Sequence, residues 1–172
     1  MSEIVVKLYE DGVYDKQTLP QKIVNDLLNN NNINFQNEKG FKYYLVDNYL
    51  SDYNLAIEVN GDYFHSHPLK YPTLINEMQK NNIIRDKRKR TYLKRYGKFE
   101  ILYLWENDIK QNPELCEKLI LEYIKNKGQL RNYQSFNYEL INNKLVLKND
   151  LIIPYIDLSA KEVNQLTHKE NP

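Results

Sequence analysis

Apolar and polar positions change period several times along the chain, and each change marks an element. Lys42 to Leu50 (KYYLVDNYL) and Leu55 to Asn60 (LAIEVN) are dense in aromatic and β-branched residues, with turn-forming Ser51 to Asn54 between them. This pattern predicts a β-hairpin. Alternation sends Val46 and Asn48 to one face and Leu45, Asp47 and Tyr49 to the other. Upstream, Thr18 predicts a helix start with Pro20 in the first turn, Ile23, Leu27 and Leu28 on one face, and the run Asn29 to Asn32 as its end. Thr73 to Tyr96 predicts one long helix with Leu74, Ile75, Met78, Ile84, Leu93 and Tyr96 apolar and Gly97 as its stop. Phe99 to Trp105 predicts a buried strand, and Asn112-Pro113 starts a helix running through Leu115, Leu119, Ile120 and Ile124 to Gly128. Glu3 to Tyr9 is expected as a strand ahead of the Asp11-Gly12 turn.

Beyond Gly128 the pattern shortens. Phe136 to Leu140 and Leu145 to Leu147 predict two short strands joined at Asn142-Asn143. An extended segment, Leu151 to Ile156, comes next with Pro154 breaking it, and Lys161 to Pro172 is expected as a polar, frayed tail. The whole predicts an α/β fold, a mixed β-sheet flanked by helices. Residues 1–128 would form the domain and 129–172 a C-terminal extension with a small hairpin, which packs on the domain, contacts DNA or binds a partner.

Composition narrows the class. A chain of 172 residues is long enough for one domain with a proper core. The single cysteine, Cys116, excludes a disulfide framework, fits a reducing compartment, and is expected to be buried and apolar in role. No apolar run reaches the length of a membrane span and no charged-then-apolar leader opens the chain, so a cytoplasmic protein without a membrane partner is expected. The formal net charge of +1 hides an uneven distribution. Between Lys80 and Lys98 the predicted helix carries nine cations, Arg85, Arg88, Arg90 and Lys94 among them, with Asp86 the only acid. That excess suits a phosphate backbone, although a charge run is more often a solvated helix face.

Candidate chemistry sits on the hairpin and on the loop and helix after it. Asp47 and Glu58 lie on adjacent strands, and Glu58 shares a face with Asn60. Carboxylates beside Ile57 and Val59 are costly to bury without a cation or a hydrogen-bond network, and a hard divalent metal is the simplest explanation. Gly61 to Pro68 (GDYFHSHP) is too polar and interrupted to continue a strand. A histidine on such a loop titrates near neutral pH, which favours function for His65, while His67 is expected to be an exposed loop residue. Asn82 and Asp86 share a helix face one turn apart.

VDNYL, IEVNGDYFHSHP and NIIRDKRKRTYLKRYGKFEILYLWE together resemble the very-short-patch-repair endonucleases and their phage and intron-encoded homing relatives. These form a branch of the PD-(D/E)xK restriction-endonuclease-like fold described by a Glu, Asp, His, Asp constellation. The resemblance spans Thr18 to Ile109. It implies that Asp47 is the metal-binding Asp, His65 the His after the aromatic pair, and Asp86 the Asp of the N-x-x-R-D segment. It also implies that Tyr63 and Phe64 wedge into the DNA stack, where the alternative is that they pack under their loop. Three departures stand out. Gln21 replaces the family Glu at the helix start; Asp62, Leu69 and Asn107 replace ligands of the family's structural zinc, leaving His67, so no zinc is expected; and Asn60 stands where the wider fold has Lys.

These readings combine into a Mg²⁺-dependent DNA endonuclease, expected to be a phage or mobile-element (homing-type) enzyme in a bacterial cell. Asp47, with Glu58 or a backbone carbonyl near Val59, would hold the metal. His65 would act as general base on water or acid at the leaving oxygen, oriented by Asp86 and Asn82. Tyr63, Phe64, Arg85, Arg88, Arg90 and Lys94 would contact DNA, with Gln21 and Asn60 supporting the site. The rivals are a catalytically silent DNA-binding protein of the same fold and a structural or interaction protein.

Overall fold

The computed structural model describes residues 2–12, 16–73 and 76–167. Its first element is a helix, α1 (Glu3–Glu10), where a strand is expected. Burial explains the difference: Val6 is 3 % exposed and Ile4 75 %, although a strand would turn both to one face. The Ser2 hydroxyl accepts the Val5 N–H and so closes the first turn. Helix α2 (Leu19–Asn30) starts with a capping box, in which Thr18 Oγ1 accepts the Gln21 N–H and Gln21 Oε1 accepts the Thr18 N–H at 2.7 Å. Its buried face is Pro20, Val24 and Leu28.

The main sheet has the order β1 (Gln36–Phe41), β2 (Tyr44–Leu50), β3 (Leu55–Asn60) and β4 (Ile101–Trp105). The first three pair antiparallel and β3 pairs parallel with β4, so the sheet is mixed as expected. Strand β1 has no apolar alternation; it exists through backbone pairing to β2 and through Asn48, whose buried amide donates to Asn37 in β1 and to Asn25 in α2.

Helix α3 (Glu77–Tyr96) supplies the crossover from β3 to β4. It begins four residues later than expected because Asn76 caps it, its side chain accepting the Gln79 N–H at 2.9 Å. Leu74 and Ile75 lie outside the described residues. Gly97 ends the helix, but with φ −79° the left-handed conformation falls on Lys98 instead. Glycine is needed for space: a Cβ there would come within 2.5 Å of the Phe99 ring and 2.8 Å of the Leu93 carbonyl.

All five residues of β4 are buried, alternate ones belonging to opposite layers. Leu102 and Leu104 pack with Ile57, α2 and α5 (Pro113–Lys125), while Ile101, Tyr103 and Trp105 pack toward Ile83 and Leu93 of α3. The short α4 (Glu106–Gln111) links β4 to α5. Tyr123 of α5 ties these layers together, donating to the Glu100 and Ala56 carbonyls and accepting the Ala56 N–H. Cys116, on the same helix, is fully buried, and burial raises its thiol pKa.

The C-terminal residues close the outer edge of β4, which would otherwise offer unpaired backbone. Tyr103 donates to the Tyr133 carbonyl at 2.8 Å, Trp105 N–H to Ser135 Oγ at 2.9 Å, and Tyr103 bridges Gln134 in parallel. The hairpin β5 (Tyr138–Ile141) and β6 (Lys144–Leu147) turns at Asn142-Asn143, both with positive φ, as expected. The segment from Leu151 then becomes a 3₁₀ turn at Tyr155–Asp157, and the expected frayed tail contains a helix, α6 (Ala160–Thr167), anchored by buried Val163. Residues 168–172 lie outside the described residues. Among the described residues no helix is long and apolar enough to cross a membrane.

Candidate active site

A cleft of about 1250 Å³ opens beside the carboxyl end of β3, where pairing with β4 ends at Asn60 and Trp105. Open α/β sheets characteristically gather ligand sites at such strand ends. The chain leaving β3 coils at once: the His65 N–H donates to the Gly61 carbonyl at 3.0 Å and the His67 N–H to the Asp62 carbonyl at 2.8 Å. Helix α3 holds this loop from the other side. Gln79 donates to the Tyr63 carbonyl and Asn82 to the Phe64 carbonyl, each at 2.9 Å. One helical turn beyond Asn82, the Asp86 carboxylate lies 2.6 Å from His65 Nδ1. A neutral His65 that donates from Nδ1 in this contact keeps its lone pair on Nε2.

Asp47 reaches the same cleft from β2. The ladder between β2 and β3 runs through Asn48 and Ile57; next to it, Asp47 Oδ2 accepts the Val59 N–H at 2.7 Å. Its other oxygen accepts from the Gln21 side chain at 3.3 Å, and the same amide lies 3.4 Å from Glu38. The capping box that starts α2 therefore also aims Gln21 at Asp47, its Oε1 occupied by the cap and its Nε2 left for the carboxylate.

Glu58 faces the cleft from β3 with its carboxylate 2.7 Å from Lys89 Nζ. Its second oxygen, Oε1, is buried without a hydrogen-bond partner among the described residues. Burial pushes the Glu58 carboxyl up to about 8, with Lys89 opposing and Asp47 adding to the shift. Burial also disfavours the Lys89 ammonium, but Glu58, Asp47 and Asp86 outweigh it and raise its pKa. The two rises have different origins: burial for the carboxyl, and the field of the nearby carboxylates, Glu58 first, for the ammonium. The cation is held, and the driest carboxylate bears the repulsion.

The cations of α3 divide by face. Arg85 and Arg88 are exposed and line the cleft, Arg85 4.0 Å from Asp86. Arg90 instead pairs with Asp157 and the Ile156 carbonyl, and Lys94 pairs with Glu100. Lys87 donates to the Ile156 and Leu158 carbonyls. Tyr63 and Phe64 are 38 % and 59 % exposed and in edge-to-face contact with each other, and Tyr63 also meets Tyr71 edge-on and accepts from the Asn76 amide. Asn60 is buried and does not line the cleft.

His67 is buried where an exposed loop residue is expected, because its ring packs against Trp105 and Phe136, both centroids at 5.0 Å. Burial lowers its pKa. The neighbouring Asp62 carboxylate is engaged by Lys70 at 2.6 Å and by the Asn107 N–H, while Leu69 is exposed. Among the described residues no three His, Cys, Asp or Glu side chains gather to hold a metal ion. Sequence reasoning counts Lys89 only within the basic run and leaves it out of the site, and it misses Glu38, which lines the cleft beside Gln21. What singles out Lys89 is spacing, since it falls on the stripe of Asn82 and Asp86.

No family model matches the chain, and no curated protein matches it. Among solved structures it is similar to the catalytic domain of the homing endonuclease I-Bth0305I, with a TM-score of 0.50 and 23% identity, covering 66% of this chain and 100% of that domain. The likeness is one of fold: the chain is an α/β protein with a four-stranded mixed sheet flanked by helices, and a two-stranded hairpin follows toward its C-terminus.

Proposed function

We propose that the protein is a divalent-metal-dependent DNA endonuclease of the homing or phage type, hydrolysing a phosphodiester bond in the cleft between β2, β3 and α3. The observation that carries this reading is the oriented His65–Asp86 pair sharing one cleft with the Asp47 carboxylate. The similarity to a homing endonuclease catalytic domain supports it, as does the resemblance to the very-short-patch-repair enzymes.

The donors present fit a hard cation such as Mg²⁺. Asp47 and, once a cation has displaced its proton, Glu58 through Oε1, which has no hydrogen-bond partner among the described residues, would both be oxygen ligands, with the Val59 carbonyl as a third candidate. Mg²⁺ commonly takes one or two carboxylates and fills its remaining positions with water, so a larger cluster is not required. When bound, the cation would supply positive charge to the phosphate and the leaving oxygen. The chain's own contribution is proton transfer and positioning. His65 Nε2 accepts the proton of the attacking water, or as imidazolium protonates the departing 3′ oxygen, and Asp86 fixes the ring throughout. Water adds to phosphorus and the P–O3′ bond breaks, leaving the 5′-phosphate and 3′-hydroxyl that the family resemblance implies. Arg85 and Arg88 contact backbone phosphates at the rim, and the exposed Tyr63 and Phe64 meet the bases.

One observation favours a second reading. Gln21 contacts Asp47 where the resembled family has a Glu. A neutral amide there removes one anion from the site, which suits a DNA-binding protein that has lost cleavage. Plasmid nicking decides between the two. Conversion of supercoiled to open-circular DNA with Mg²⁺, abolished by EDTA and by Asp47→Ala, is expected; tight binding with no cleavage under Mg²⁺ or Mn²⁺ would leave the silent binder.

A further inference from the structure

The ammonium of Lys89 ends in a different place from those of its neighbours. Arg85 and Arg88 reach the rim, while Lys87 and Arg90 turn to the C-terminal segment. Lys89 instead lines the cleft interior with its side chain 18% exposed, its Nζ on Glu58. Helical spacing accounts for this, because Asn82, Asp86 and Lys89 follow an i, i+4, i+7 stripe. The stripe that grips the loop and orients His65 therefore also delivers a cation to the floor of the cleft.

A structural salt bridge explains this arrangement poorly. Buried ion pairs stabilise a fold only when their remaining hydrogen-bonding capacity is satisfied, and here Glu58 Oε1 is buried and unpartnered. Asp47, Glu58 and Asp86 all line this cleft. A phosphodiester entering this space would bring negative charge beside Asp47 and Asp86, and among the cations that line the cleft Lys89 is the one paired inside it and not exposed at its rim.

We infer that Lys89 is a further catalytic residue, its ammonium moving from Glu58 to a non-bridging oxygen of the scissile phosphodiester and stabilising the charge that grows there. The inference rests on the nuclease reading above. Lys89 neither gives nor takes a proton in the step; the water's proton goes to His65 and the electron pair of the broken P–O3′ bond to the departing oxygen. A preorganised cation at that position differs from one at the rim: it acts on the rate at saturating DNA more than on affinity.

The test is single-turnover cleavage of a duplex that the wild-type full chain cuts, at saturating protein, with affinity measured in Ca²⁺ and melting measured alongside. Lys89→Met should lower the rate constant about 10²–10³-fold with the Kd changed less than about threefold, and Lys89→Arg should recover at least about tenfold of the loss. A Lys89→Met rate within about threefold of wild type overturns the inference while leaving the nuclease reading intact. Absence of any cleavage by wild type with Mg²⁺ or Mn²⁺ overturns both. Should Lys89→Met melt lower, Glu58→Gln combined with Lys89→Met removes both charges. A double variant as active as Glu58→Gln alone assigns Lys89 to supporting Glu58 and overturns the inference; a further fall matching that of Lys89→Met upholds it.

Discussion

His65 Nδ1 lies 2.6 Å from the Asp86 carboxylate, a contact that joins a loop to a helix across 21 residues of sequence. In the proposed reaction Asp86 is the support and His65 the reactive group. His65→Ala should therefore lower cleavage by about 10² or more, and Asp86→Asn by roughly 10–100-fold, in the range of lost outer partners of a functional histidine. Nicking rates at saturating DNA check both. Loss of affinity without loss of turnover in His65→Ala would make the histidine a phosphate contact.

Gln21 and Glu58 offer a second comparison. Glu58→Gln should severely impair cleavage, while Gln21→Glu should preserve or raise it, since it returns an anion beside Asp47, and should partly rescue Glu58→Gln. The three variants belong in one nicking assay. Indifference to Glu58→Gln would show that Glu58 is structural, and activity confined to Gln21→Glu would mark the natural chain as a silent binder.

The division of the α3 cations predicts unequal effects on DNA binding. Affinity should fall steeply with salt, and replacing Arg85 and Arg88 by Gln should flatten the log–log slope by about one unit per residue. Arg90→Gln should leave the slope unchanged and lower the melting temperature, because Arg90 is engaged by Asp157 and the Ile156 carbonyl. A flattened slope in Arg90→Gln would mean that DNA displaces the C-terminal segment.

Stability should depend on pH through Glu58. Its carboxyl stands at about 8 in the fold against 4.5 unperturbed, so between these values the folded chain keeps a proton that the unfolded chain has released. Stability therefore falls as pH rises through this window and levels off above it. Melting curves at several pH values in EDTA measure the trend, which Glu58→Gln should flatten. The same slope in both proteins would place its source elsewhere.

Much of the sheet is legible from composition, because β2 and β3 are dense in aromatic and β-branched residues around a turn of suitable chemistry; burial alternates in β2 but is nearly continuous in β3. Strand β1 is not, since QNEKGF owes its conformation to a neighbour's backbone. Helix α1 misleads for a related reason: Ile4, Val5 and Val6 favour extended chain, and only the burial of Val6 apart from Ile4 reveals the helical period. Within the cleft, the hairpin pattern suffices to put Asp47 and Glu58 on adjacent strands. Lys89 and Arg90 look alike in a run of cations. What separates them is a strand 31 residues upstream and a turn 67 residues downstream, neither of which local sequence can register.

The sequence distance from α3 to its rear supports also affects how the protein is made. Lys87 and Arg90 find their partners at Ile156, Asp157 and Leu158, 66 to 71 residues later in the chain. A ribosome-bound chain that has just released β4 holds the carboxylates and the histidine, but the far side of the helix carrying Asp86 still has its cations in water. Vectorial synthesis thus delays the mature cleft until the last turn before α6 has emerged, and an incomplete copy left by a stalled ribosome would carry the cleft residues without the buttress behind them.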